Sequence, residues 1–68
     1  MKLSARNLLK GRVVEVQKGQ TTAHVRIELG GGAVITASIT NEAVEDLDLK
    51  TGDEATAVIK ASDVLVGK

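Results

Sequence analysis

The chain has 68 residues with no cysteine and no aromatic residue, and its nine lysine and arginine residues balance nine aspartate and glutamate residues. This composition excludes disulfides and thiolate metal sites, and it disfavours base stacking of single-stranded nucleic acid, aromatic-lined pockets and non-specific attraction of polyanions. One domain over residues 1–68 with no covalent or metal staple is marginally stable alone, so we expect a homo-oligomer.

The first predicted strand runs from Asn7 to Val16 and is rich in leucine and valine. Gly11 lies inside it and indicates either a β-bulge or a close approach of another backbone. Two pairs of adjacent apolar residues interrupt the alternation of polar and apolar positions. This interruption predicts a strand covered on both faces, as in an oligomer.

The next two predicted strands form a hairpin. Residues 21–29 alternate apolar and polar side chains, which is typical of a half-buried strand. Three glycines at 30–32 predict the hairpin loop, and residues 33–39 form the third strand. The only histidine, His24, lies on the polar face of the second strand with no second histidine or cysteine, so we interpret it as a surface or subunit-contact residue.

A short helix and two more strands complete the predicted fold. Thr40 is placed to cap a helix from Asn41 to about Leu47. Residues 54–61 and 63–66 are predicted as the fourth and fifth strands. The order predicts an all-β, five-stranded OB-like barrel with one short helix between strands 3 and 4. The structural alternative is a plain meander sheet with one helix.

Several residues carry the donors that a small oxyanion requires. Charge-assisted hydrogen bonds from cations, hydroxyls and backbone N–H groups replace the water shell of such an anion. Hydroxyl–cation pairs lie at the edges of apolar runs near both ends of the chain, and a further hydroxyl and a free N–H lie at the predicted helix start. These candidate residues are Ser4, Arg6, Thr40, Ala43, Lys60 and Ser62.

Each candidate also has an ordinary structural interpretation. Residues near the terminus are commonly just solvated, strand-end lysines protect an edge, and a threonine before a helix is commonly only an N-cap. The turn at Lys18, Gly19 and Gln20 is a possible backbone nest for a second anion, but a plain hairpin turn is the more frequent structure.

Enzymatic activity and membrane insertion are not predicted. The sequence has no nucleophile with a nearby base, no carboxylate pair in an apolar setting and no cofactor loop. The segment Met1-Lys2-Leu3 lacks the apolar region of a signal peptide, and no stretch approaches the roughly 20 apolar residues of a membrane span. We therefore expect a soluble, cytoplasmic protein that is not an enzyme.

Four motifs spread over the chain resemble one known family. They are SARN at residues 4–7, ASIT at 37–40, VEDL at 44–47 and TAVIKASDV at 56–64. In this combination and spacing they resemble the molbindins, small molybdenum-binding proteins whose domain also occurs in molybdate regulators and transporter ATPases. The resemblance implies an OB-like barrel that assembles as a homo-hexamer, a trimer of dimers.

The resemblance also implies a ligand and a way of binding it. Molybdate or tungstate would be held at subunit interfaces by hydrogen bonds and charge, without metal–protein bonds, for molybdenum storage and homeostasis. One subunit would provide Ser4, Ala5 and Arg6, and its neighbour would provide Thr40, Ala43, Lys60 and Ser62. Family members often have serine at the position of Ala43, so a contact there must come from the backbone N–H. A second class of site, near the threefold axis, is assigned here to Lys18, Gly19 and Gln20.

Two other functions compete with oxyanion binding. An OB-type module that binds protein or nucleic acid would present a basic, aromatic-bearing face, and this chain has neither feature. A carrier of a molybdenum–pterin cofactor would fit the family, but the chain offers no aromatic side chain to stack on the pterin ring.

Overall fold

Four antiparallel strands and one short helix form the computed structural model, which describes residues 2–68 and leaves Met1 outside. The strands form one sheet in the order β3-β2-β1-β4. In chain order the elements are β1 (Asn7–Lys18), β2 (Thr22–Leu29), β3 (Val34–Thr40), α1 (Asn41–Asp46), β4 (Glu54–Ile59) and a 3-10 helix (Ala61–Asp63).

The apolar core lies on one face of this open, curled sheet. Alternating residues of β1 and β2 point into it, as predicted for the second strand, and Val44 of α1 packs over them. Because α1 follows β3 without a loop, the helix can contact β2 and β3 from the core side. The buried residues are Val13, Ala23, Val25, Ile27, Val44 and Ala57.

The longest strand, β1, pairs with both β2 and β4 and is irregular near its middle. The β1–β2 register shifts between Val13 and Glu15, which is a β-bulge. Val13 is fully buried while Val14 is 40% exposed, and Leu8 is 45% exposed. The prediction that both faces of β1 are covered is therefore not met within one chain.

The local predictions from turn and cap chemistry are confirmed. The glycine loop at residues 30–32 joins β2 to β3, and Thr40 caps α1. Gly11 marks a close backbone approach, since a Cβ there would lie 2.5 Å from the carbonyl oxygen of Glu28. The helix was predicted to end at about Leu47, which directly follows the last helical residue and is 66% exposed.

The predicted fifth strand is wrong within the described chain. Residues 61–63 form a 3-10 turn, and the residues after it join no strand. Leu65 and Val66 are each 93% exposed. A strand needs a neighbour for its N–H and C=O groups, and the apolar tail has none between residues 2 and 68. The four-stranded sheet is open, with a β1-β2-β3 meander extended by β4 on the free edge of β1.

Candidate functional site

The two terminal candidate motifs meet at one end of the sheet. The β1–β4 ladder ends at the pair formed by Asn7 and Ile59. Arg6 directly precedes this pair and Lys60 directly follows it, so both cations leave the sheet at the same edge. Pairing of β1 with β4 thus joins residues from opposite ends of the chain. The strand-end cluster is defined here as Ser4, Ala5, Arg6, Lys60 and Ser62.

The strand-end cluster is a locally positive region on a chain of zero net charge. Arg6 and Lys60 are both exposed, and no carboxylate oxygen of residues 2–68 lies within 4.0 Å of either. Like charges on neighbouring exposed side chains repel each other, and water screens most of this repulsion. An anion between them relieves this repulsion and gains two charge-assisted contacts.

An amide side chain holds the two strand ends together. Asn7 Nδ2 donates a hydrogen bond to the carbonyl oxygen of Ile59, with a donor–acceptor distance of 3.1 Å. Such a bond contributes about 0.5–1.5 kcal/mol net. Asn7 was not among the predicted site residues. Its signal in the sequence is an asparagine in a strand, where that residue type is depleted.

The cluster also offers uncharged donors. Ser4 and Ser62 are exposed and carry hydroxyl groups. The N–H groups of Ala61 and Ser62 donate to no protein acceptor among residues 2–68, because the 3-10 turn uses only the N–H groups that follow them. The cluster therefore combines two cations, hydroxyls and free backbone donors.

Thr40 and Ala43, defined here as the helix-start pair, already interact with each other. Thr40 Oγ1 accepts a hydrogen bond from the Ala43 N–H at 3.0 Å, so the N-cap interpretation of Thr40 is confirmed. The Ala43 N–H is consequently engaged within its own chain. The hydroxyl proton of Thr40 remains a donor that this pair can offer to a ligand.

The helix-start pair lies at the other end of β1 from the strand-end cluster. Thr40 is opposite Thr22 in β2, and the next residue of β2, Ala23, is opposite Lys18 at the end of β1. The strand-end cluster instead adjoins Asn7 at the beginning of β1. One chain therefore does not bring all seven predicted residues together.

Strand pairing determines how the candidate residues group within one chain. Lys60 and Ser62 were expected to act with Thr40 and Ala43 of the same subunit, on an anion that Ser4, Ala5 and Arg6 of a neighbour also contact. In the structure, Lys60 follows the ladder pair that Arg6 of its own chain precedes. Within one chain the candidates thus form a cation-rich group of five and a hydroxyl-bearing pair.

Substitutions at Thr40 test its role as the N-cap of α1. We expect Thr40→Ala to lower the free energy of unfolding by about 1 kcal/mol, because the Ala43 N–H loses its acceptor. For a domain of this size, that change lowers Tm by about 4–8 °C. In thermal melts followed by circular dichroism, Thr40→Ser should have a Tm close to that of the original protein. If Thr40→Ala has the same Tm as the original protein, the Thr40 cap contributes nothing to stability.

The turn predicted as a second anion site uses its donors internally. The Gly19 N–H donates to the Thr22 carbonyl oxygen at 2.7 Å, and the Gly19 carbonyl accepts from Asn41 Nδ2 at 2.9 Å. Lys18 Nζ lies 3.3 Å from Glu45 Oε1. These contacts support the plain hairpin turn that was weighed as the alternative. An open depression of about 350 Å³ lies beside this turn.

The described chain shows neither a metal-ligand cluster nor a membrane-spanning helix. His24 is exposed in β2, opposite Gln17 and Ser38. No group of three or more histidine, cysteine, aspartate or glutamate residues in the 2–68 range could hold a metal ion. In the same range, no helix has the length and apolar character needed to cross a membrane.

Comparison with known proteins decides the family. Residues 3–66 match the TOBE domain. Molybdenum-pterin-binding protein 3 of Clostridium pasteurianum is 52% identical over 66 residues, which cover 97% of each chain. The chain belongs to the molbindin family of TOBE-domain proteins. The similarity extends over the full length of a single-domain relative, and it confirms the family resemblance of the four motifs.

Solved structures agree with this assignment. A molybdate-binding protein from Sporomusa ovata has a TM-score of 0.94 and 41% identity, with complete coverage of both chains. ModG, described as a cytoplasmic molybdate-binding protein and solved with molybdate bound, has a TM-score of 0.92 and 49% identity over 96% of this chain. This chain covers 46% of ModG. The small all-β fold of this molbindin is therefore shared with proteins of known structure.

Proposed function

We propose that this molbindin binds molybdate and tungstate as oxyanions, for molybdenum storage and homeostasis in the cytoplasm. The observation that carries the proposal is the pair of exposed cations, Arg6 and Lys60, which flank the last pair of the β1–β4 ladder and have no carboxylate partner among residues 2–68. The molybdate-binding relatives support the choice of ligand, and the description of ModG as cytoplasmic supports the compartment.

The chemistry of the cluster favours a fully deprotonated dianion. Arg6 and Lys60 neutralise its two charges, while hydroxyls and backbone N–H groups of Ser4, Ala5 and Ser62 donate to its oxygens. The cluster contains no carboxylate, so the proton of an oxyanion such as phosphate near neutral pH has only the weaker serine hydroxyls as side-chain acceptors. Sulfate has no such proton, and it is rejected only through the size of the completed site.

A second copy of the chain completes the site. Since Thr40 and the strand-end cluster lie at opposite ends of β1, the Thr40 hydroxyl reaches the anion from a neighbouring subunit. The site therefore lies at a subunit interface of a homo-hexamer, and ligand binding stabilises the assembly. The Ala43 N–H donates to the anion only if it exchanges its bond to Thr40 for one to the ligand.

The proposed role is binding without catalysis, a catalytic cofactor, nucleic acid or membrane. A pterin is the second candidate ligand, because relatives are named molybdenum-pterin-binding proteins. Pterin rings are commonly held by stacking, and this chain has no aromatic side chain. The free oxyanion is therefore the preferred ligand, and an absorbance spectrum of the purified protein distinguishes the two.

Native mass spectrometry tests the proposal directly. We expect a hexamer that gains about one molybdate mass per chain at the strand-end clusters, with excess sulfate failing to prevent the gain. A stoichiometry above one per chain indicates an anion site besides the strand-end cluster. A monomer, or an oligomer that takes up no molybdate at millimolar concentration, contradicts the proposed function.

A further inference from the structure

We propose that Asn7 is a positioning residue that fixes the spacing of Arg6 and Lys60 before the anion arrives. Asn7 directly follows Arg6, and its side-chain amide donates to the carbonyl oxygen of Ile59, the residue directly before Lys60. The inference rests on the proposed function, because it assigns these two cations to an oxyanion. It adds a residue that does not itself contact the ligand.

The position of Asn7 explains why the strand end needs such a bond. The β1–β4 ladder stops at Asn7 and Ile59, and the residues beyond this pair belong to no strand. Terminal pairs of a ladder open easily because few bonds hold them. The Asn7 Nδ2 to Ile59 oxygen bond, at 3.1 Å and partly buried, closes this last pair from the side chain.

Without a bound anion, the like charges of Arg6 and Lys60 oppose pairing at this end of the β1–β4 ladder. Arg6 and Lys60 are both cationic, and neither has a carboxylate partner in the described chain. Mutual repulsion separates them in the empty protein unless something else holds the strands. The Asn7 bond supplies that restraint, so the site is organised before binding and less ordering is needed when the anion enters.

The residue type at this position fits a positioning role better than a strand-forming role. Asparagine is depleted in strands, whereas valine is enriched in them and suits a half-buried strand position of this kind. Aspartate would repel the bound anion, and lysine would add a third like charge. A neutral amide provides the donor without changing the charge of the cluster.

The test separates binding from stability by replacing Asn7 with a better strand former. Asn7→Val removes the donor but raises strand propensity, so we expect its Tm to stay near that of the original protein. Molybdate affinity, measured by calorimetric titration well below Tm, should fall about two- to tenfold. In the ligand-free protein, amide exchange at residues 58–60 should become faster.

A core substitution serves as the matched control. Ile27→Val trims a buried side chain of β2, 6% exposed and distant from the strand-end cluster, so it lowers Tm without a change in affinity. Unchanged affinity and unchanged exchange in Asn7→Val would overturn the positioning role while leaving the proposed function intact. If the original protein itself binds no molybdate, both the positioning role and the proposed function are overturned.

Discussion

Lys60→Ala is expected to weaken molybdate binding by about ten- to a hundredfold, which corresponds to the loss of one charge-assisted hydrogen bond. Lys60 lies beside Arg6 at the end of the β1–β4 ladder and has no carboxylate partner within residues 2–68. Its charge is therefore available to an anion. Calorimetric titration with molybdate at fixed ionic strength measures the effect, since screening changes the apparent strength of exposed charges.

The same substitution should leave the stability of the fold almost unchanged. Lys60 is exposed and forms no side-chain hydrogen bond within the described chain, so its truncation should change stability by less than about 0.5 kcal/mol. Lys50→Ala is the matched control, because it removes the same charge from an exposed turn far from the strand-end cluster. An affinity that is equal in the original protein and in Lys60→Ala would remove the basis of the proposed site.

The elements predicted from local signals agree with the structure because their causes are local. Alternation over residues 21–29 follows from one buried face, and Thr40 satisfies the free Ala43 N–H at the helix start. The glycines at 30–32 supply the positive φ that their loop uses at Gly31 and Gly32. None of these outcomes depends on which distant strands pair.

The fifth strand could not be decided from local signals. Residues 63–66 are rich in valine and leucine, which favour strands. A strand, however, is stabilised by a neighbour, and the existence of that neighbour depends on the register and curvature of the whole sheet. In the described chain the tail is left exposed, so a favourable composition alone does not produce a strand.

Residue types suggest the chemistry of the candidate site, whereas strand pairing decides which candidate residues adjoin within one chain. Hydroxyls and cations identify oxyanion donors by residue type alone. Whether Lys60 acts with Arg6 or with Thr40 of its own chain depends on the β1–β4 pairing, which joins residues 52 positions apart at Asn7 and Ile59. The engagement of the Ala43 N–H likewise depends on the rotamer of Thr40, which the sequence does not specify.

Gly11→Ala is expected to lower the stability of the fold. A Cβ at this position would lie 2.5 Å from the carbonyl oxygen of Glu28 and 2.7 Å from Cγ2 of Ile27. The oxygen is backbone within a paired strand, so it can move only by displacing β2. Overpacking of this kind costs about 1–3 kcal/mol, which exceeds the gain of roughly 0.4–1 kcal/mol from restricting the unfolded chain.

For a domain of this size, the net loss corresponds to a Tm lower by on the order of 10 °C. Gly30→Ala is the matched control, because the same methyl group there meets no atom within 4 Å and needs no positive φ. Melts of both variants at equal protein concentration remove any effect of assembly on Tm. A Gly11→Ala protein as stable as Gly30→Ala would show that β1 and β2 separate at little cost. The close packing at Gly11 would then not be what holds β1, and with it the strand-end cluster, in place against β2.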